Sequence, residues 1–197
     1  MLSKFEYFPC EIFREEKPEW VENILFELNN SEDRNSAGLR NNDLYQSEDL
    51  GPFSGVVEAK NYFLTQAVTI LAGQGYDVDR YKYKINSWGQ KLYTGAQQIA
   101  HVHANTQITA LYFLRTPLNG AFPAFEDPRP AKKMSELFPR DLNEGQINCA
   151  TQEIHFNNVL PGTVLYFNSW VPHKIMPNSA TDPTCFLHMT IKADENL

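Results

Sequence analysis

Residues 97–114 read Gln97-Gln98-Ile99-Ala100-His101-Val102-His103-Ala104-Asn105-Thr106-Gln107-Ile108-Thr109-Ala110-Leu111-Tyr112-Phe113-Leu114. Successive side chains of a strand point to opposite faces, so a strand over 97–103 puts His101 and His103 on one face, about 7 Å apart. A helix would not do this, because residues two apart do not face each other. Two imidazoles on one strand face are a geometry for gripping one ion, and 108–114 reads as the next short strand.

The same β-type pattern continues downstream at 121–125, 163–167, 173–176 and 185–191, punctuated by the turn signals Asn119-Gly120, Pro161-Gly162 and Asp182-Pro183. Upstream, Tyr81, Tyr83 and Ile85 alternate with Arg80, Lys82 and Lys84, a strand with a solvated basic face. Two helices come before it. The first takes Pro18 in its opening turn and spaces Trp20, Ile24, Leu25 and Leu28 helically. The second, over 56–71, carries Phe63, Ala67 and Ile70 on one stripe and is ended by Gly73 and Gly75. Residues 4–13 alternate around Pro9 and suit a short edge strand, while the Asn-, Ser- and Asp-rich stretch 29–52 reads as a long surface loop. Two helices followed by many short strands predict an α+β domain on a sandwich or barrel of jelly-roll type.

The length of 197 residues favours one domain over 1–197. Lys and Arg number 17 against 24 Asp and Glu, a formal net charge of −7. That balance argues against a polyanion-binding module and so against nucleic acid as a partner. No apolar run approaches a membrane span, and the opening residues carry charges where a secretory leader would be apolar. Cys10, Cys149 and Cys185 are odd in number and widely spaced, which suits reduced thiols in a cytoplasmic protein.

Five histidines are present: His101, His103, His155, His173 and His188. The segment Pro161-Gly162-Thr163-Val164-Leu165-Tyr166-Phe167 enters a strand, and Ser169-Trp170-Val171-Pro172 turns the chain toward His173. A jelly roll can bring His173 across from the HxH pair. Three protein ligands on one side of a metal leave positions open for water, oxygen or substrate, as catalysis requires. His155 and His188 read as ordinary histidines.

Several segments, in order, resemble the uncharacterised 2-oxoglutarate/iron(II)-dependent oxygenases of bacteria and their phages, and the resemblance covers nearly the whole chain. Phe8-Pro9-Cys10-Glu11-Ile12-Phe13 is similar to that family's opening strand, and Ser87-Trp88 to its tryptophan segment. His101-Val102-His103-Ala104-Asn105 with Ala110-Leu111-Tyr112-Phe113-Leu114 resembles its metal-to-"YYL" stretch. Phe125-Glu126-Asp127-Pro128-Arg129 resembles its "F-x-DPR" turn, and Pro161-Gly162 through Phe167-Asn168-Ser169-Trp170 to His173 its distal-histidine segment. The resemblance implies a double-stranded β-helix with two flanking N-terminal helices. It further implies iron(II) on His101, His103 and His173, 2-oxoglutarate as cosubstrate, and hydroxylation of a C–H bond of a small molecule or peptide.

The chain departs from that pattern at two points. The position that usually carries a carboxylate ligand is His103, which leaves Glu126, Asp127 or Glu153 as possible substitutes and otherwise leaves the ion's charge to anionic ligands. No Arg or Lys follows His173 where the remote carboxylate of 2-oxoglutarate is commonly held. Arg115, on the face of Leu111 and Phe113, is the replacement candidate, with Tyr112 as a further contact to the cosubstrate; Lys174 points to the opposite face. Gly95, His101, His103 and Gln107 also resemble the first motif of cupin-type dioxygenases, which use three histidines and no 2-oxoglutarate. Zinc with a hydrolytic water and a non-catalytic jelly-roll binding domain stay open as well. Residues 45–52 and 130–148 are candidate lids over the barrel mouth.

Overall fold

The structure is a computed structural model that describes residues 9–34, 39–41, 43–50, 54–129 and 151–195. Pro18 opens a 3-10 turn at Pro18–Trp20 that runs into α1 (Val21–Arg34). Trp20 of the turn and Ile24 and Leu28 of α1 form one buried stripe. The second helix, α2 (Ser54–Gly73), buries Val56, Ala59, Phe63, Ala67 and Leu71, an i, i+3, i+4 pattern aimed at one neighbour. It ends where Gly75 takes φ +92°, letting the Tyr76 amide reach the Leu71 carbonyl and the Gly75 amide the Ala72 carbonyl.

The strands are β1 (Ile12–Glu16), β2 (Leu39–Asn41), β3 (Leu44–Gln46), β4 (Tyr81–Leu92), β5 (Gln98–His101), β6 (Ile108–Arg115), β7 (Pro123–Glu126), β8 (Glu153–His155), β9 (Thr163–Asn168), β10 (His173–Ile175) and β11 (Thr184–Glu195). They form a seven-stranded sheet in the order β1-β9-β6-β11-β4-β3-β2 and a four-stranded sheet in the order β5-β10-β7-β8. Every described pair is antiparallel.

The larger sheet is apolar on both faces. One face packs on the helices through Ala110, Tyr112, Val164, Tyr166, Leu187 and Met189. The other meets the small sheet through Leu111, Phe113, Leu165, Phe167 and Phe186, against Phe125 and Ile175. Residues 108–114 of β6 are accordingly all buried. The layers are therefore helices, large sheet, small sheet, and the three histidines lie between the two sheets at one end.

Four expectations need correction. The first helix continues past Leu28 to Arg34, because its last turn is held from outside: Ser31 Oγ bonds Tyr45 Oη at 2.9 Å and Lys91 Nζ donates to Glu32 at 2.6 Å. The stretch 29–52 is thus not one loop, since β2 and β3 form a hairpin that extends the large sheet. Tyr45, Ser47 and Leu50 are buried, so the described part of the 45–52 lid candidate is packed structure; residues 51–52 and the candidate 130–148 lie outside the described residues. The edge strand falls at Ile12–Glu16 rather than over 4–13, of which 4–8 lie outside the described residues; it does take the sheet's edge, beside β9. Strand β8 carried no sequence signal. The basic face at 80–84 is solvated as expected, with Arg80 and Lys84 paired to Glu195 and Asp194 of β11.

Cys10 is exposed and Cys185 buried, both as free thiols; Cys149 lies outside the described residues. Among the described residues, no helix is long and apolar enough to cross a membrane.

Candidate metal centre

The site is built by two adjacent strands and the loop after one of them. His173 of β10 is laterally opposite His101 of β5 on one side and Phe125 of β7 on the other. His103 stands just past the end of β5, where its amide donates to the Ser169 carbonyl and so ties the loop to the end of β9. The ring centroids of His101 lie 5.0 Å from His103 and 4.4 Å from His173, and those of His103 and His173 are 5.2 Å apart. The three potential ligand nitrogens lie within 4.8 Å of one another. The two rings of the HxH pair therefore do converge, and the distal histidine completes the group.

Hydrogen bonding fixes which nitrogen faces inward. His101 Nδ1 is 2.8 Å from the Ile99 carbonyl and His173 Nδ1 is 3.0 Å from the Val171 carbonyl. A carbonyl only accepts, so Nδ1 carries the proton and Nε2 of the neutral ring presents a lone pair, the arrangement that orients metal-binding histidines. Nε2 of His103 and of His173 is buried without a hydrogen-bond partner. Leaving such an atom unpaired costs about 1–3 kcal/mol, and a cation among three inward lone pairs is what this donor set fits. Phe167 and Phe125 wall the His173 ring at 4.6 and 6.3 Å.

Burial, then the positive potential of His101, pushes His103 down from 6.5 to about 4. Burial, opposed by the Val171 carbonyl and aided by His101 and His103, takes His173 down to about 3. Unfolded imidazoles titrate near 6.5, so between that pH and the lowered values the unfolded chain binds more protons than the folded one. Stability from these rings is complete above pH 6.5 and is lost as pH falls toward about 4 and then about 3. Urea unfolding of the metal-free protein at stepped pH should show this slope, and it should flatten in His173→Gln. A variant with the wild-type slope would refute the assignment.

The other candidates lie elsewhere. Tyr112 belongs to the helix-side core and donates its hydroxyl to the Lys17 carbonyl at 2.5 Å, so it points away from the histidines and not toward a cosubstrate beside them. Arg115 is exposed at the far end of β6. It lies four residues, or about 13 Å of strand rise, beyond Leu111, the residue opposite His188. The structure therefore does not bring Arg115 to the triad. Asp127 pairs with Arg129, and Glu153 with Lys174 and His155, with Glu126 3.8 Å from the same lysine. None of these carboxylates joins the imidazole group. Gln107 accepts from the Ala193 amide and does not face the triad as a fourth ligand would.

The residue that sequence reasoning missed is His188. It is 2% exposed, stacks on Trp88 at 4.4 Å, and lies 4.8 Å from the His103 ring and 6.4 Å from His173. Burial, then His103, His173 and His101, holds it well below 6.5. Alternation along β11 groups it with Phe186, but both faces of that strand are apolar, so the pattern did not tell which face lines the barrel.

Known proteins match this arrangement. The family model described as "Putative 2OG-Fe(II) oxygenase" matches residues 86–185, from β4 through the triad to the start of β11. Among solved structures, the chain is similar to a prolyl-4-hydroxylase from Pseudomonas putida, with TM-score 0.63 and 13% identity over 92% of this chain and 91% of that one. It is similar to the epimerase SnoN in complex with Fe3+, alpha ketoglutarate and nogalamycin RO, with TM-score 0.64 and 12% identity over 94% and 81%. It is also similar to an oxidoreductase of the 2OG-Fe(II) oxygenase family from Burkholderia pseudomallei, with TM-score 0.57 and 11% identity over 87% and 77%. No curated protein matches the sequence. At such identities the likeness is one of fold, and that fold is the double-stranded β-helix. The family model spans just over half of the 197 residues and encloses all three histidines, and the chain belongs to the 2OG-Fe(II) oxygenase family.

Proposed function

We propose that residues 1–197 form one domain, an iron(II)- and 2-oxoglutarate-dependent oxygenase that hydroxylates a C–H bond of a small molecule or peptide, with His101, His103 and His173 holding the metal. The observation that carries this is the inward convergence of three imidazoles, two of them with buried, unpartnered Nε2 atoms. When bound, iron and 2-oxoglutarate supply the oxidative chemistry on molecular oxygen.

The chain's own residues contribute position, neutrality and dryness. The Ile99 and Val171 carbonyls hold two rings by Nδ1, so their ligand atoms do not rotate away. The aromatic wall of Phe125 and Phe167 keeps bulk water from the His173 side. With no carboxylate in the described ligand group, the positive charge is offset by whatever anions bind with the metal. The net charge of −7 supports a small molecule or peptide over nucleic acid, and a cytoplasmic location suits the free thiols of Cys10 and Cys185.

The test is an anaerobic iron(II) titration followed by 2-oxoglutarate, read by the visible metal-to-cosubstrate charge-transfer band. A band is the expected result. Iron binding without a band would move the assignment to a three-histidine dioxygenase of cupin type, and absence of iron binding would refute both.

A further inference from the structure

Beside the triad, two rings leave polar atoms without partners. Both nitrogens of His188 and the indole Nε1 of Trp88 are buried and make no hydrogen bond. The two residues are lateral neighbours on β11 and β4, stacked with an interplanar angle of 22°. His188 also approaches the His103 ring edge to face at 4.8 Å, and Trp88 lies 6.4 Å from the same ring, so the pair adjoins the triad.

The surrounding interior has little else polar to offer. Leu111, Phe113, Leu165, Phe167 and Phe186 line the large sheet. Thr109 and Ser169 hydrogen-bond each other, and Gln90 donates its Nε2 to Gln46 while its buried, unpartnered Oε1 is an acceptor that cannot bond a carboxylate. The buried cation Lys91 is taken by Glu32, and Arg115 is exposed at a strand end. A buried donor with no partner is destabilising unless a ligand satisfies it. An imidazole carries at least one N–H in either protonation state, and an indole Nε1 always does.

Resting on the oxygenase reading above, we propose that His188 and Trp88 form the subsite for the remote carboxylate of 2-oxoglutarate, with an imidazole N–H and an indole N–H donating to its oxygens in place of a cationic side chain. Bonds from neutral donors to an ionised carboxylate are charge-assisted and strong enough for the task. The subsite also gives a reason for the stacking. Each ring fixes the plane of the other, so both donors are oriented before the ligand arrives.

Anaerobic protein loaded with iron(II) would be titrated with 2-oxoglutarate and, separately, with pyruvate, which has the same keto-acid head and no remote carboxylate. The proteins compared are wild type, His188→Phe and Trp88→Phe; each variant keeps an aromatic ring and loses the donor. The expected result is a rise of roughly 10- to 100-fold in the 2-oxoglutarate Kd for His188→Phe, a smaller rise for Trp88→Phe, and iron and pyruvate Kd values within about twofold of wild type. Iron affinity doubles as the check that each variant is folded. If His188→Phe fails that check, Trp88→Phe decides alone. Unchanged 2-oxoglutarate affinity, or an equal loss for pyruvate, would overturn the subsite while leaving the oxygenase assignment intact. Wild-type protein that binds iron and neither keto acid would overturn both.

Discussion

Alanine at position 173 is expected to abolish iron retention. His173 is the member of the triad on an interior strand, 1% exposed, with its Nδ1 fixed by Val171 and its ring packed on Phe167. Residues that merely orient a metal ligand cost 10- to 100-fold in affinity when removed, so loss of one of three ligands should exceed roughly 100-fold. His101→Ala should behave the same way. His155→Ala is the control, because that ring is exposed beside Glu153. Metal content after anaerobic reconstitution and desalting decides the matter, with far-UV circular dichroism reporting the fold. Equal iron in all three variants would refute the site.

Phe63→Ala is expected to produce the largest loss of stability, about 3–5 kcal/mol. Phe63 is fully buried in the middle of α2. Its ring lies 5.5 Å from Trp20, 5.1 Å from Tyr112 and 6.3 Å from Tyr166, so it joins α2 and the 3-10 turn that leads into α1 to two central strands. Truncation opens a cavity that none of these rigid rings can collapse to fill. Urea denaturation should show a lower midpoint with an unchanged slope. A change below about 1 kcal/mol would mean that the helices contribute little to the sheet's stability.

The elements most legible in the sequence were those where pattern and burial agree. The runs at 163–167 and 185–191 became β9 and the heart of β11, and His101, His103 and His173 came together, although β5 stops at His101 and His103 lies past the strand expected over 97–103. The rest was hidden for identifiable reasons. Asn29, Asn30 and Ser31 are poor helix formers, and they stay helical because the Ser31–Tyr45 and Glu32–Lys91 contacts, made across the chain, outweigh local propensity. The β2–β3 hairpin lies in a polar stretch that Tyr45 anchors in the core. Tyr112 and His188 sit on strands buried from both sides, where apolar residues occur on both faces and periodicity carries little information about facing. Arg115 shares a parity with Leu111 and Phe113 yet falls where the strand has run out of barrel.

The small sheet ends at β5, which among the described strands pairs with β10 alone, with a register shift between His173 and Ile175. Its four residues carry His101, while His173 belongs to the strand that anchors it. An ion held by both rings would therefore be a clasp across a short seam at the sheet's edge. Short edge strands open locally at far less free energy than global unfolding requires. Release of such an ion would then follow the peeling of one short strand, and the lifetime of the loaded state would depend on backbone breathing at β5 as well as on the strength of the coordinate bonds.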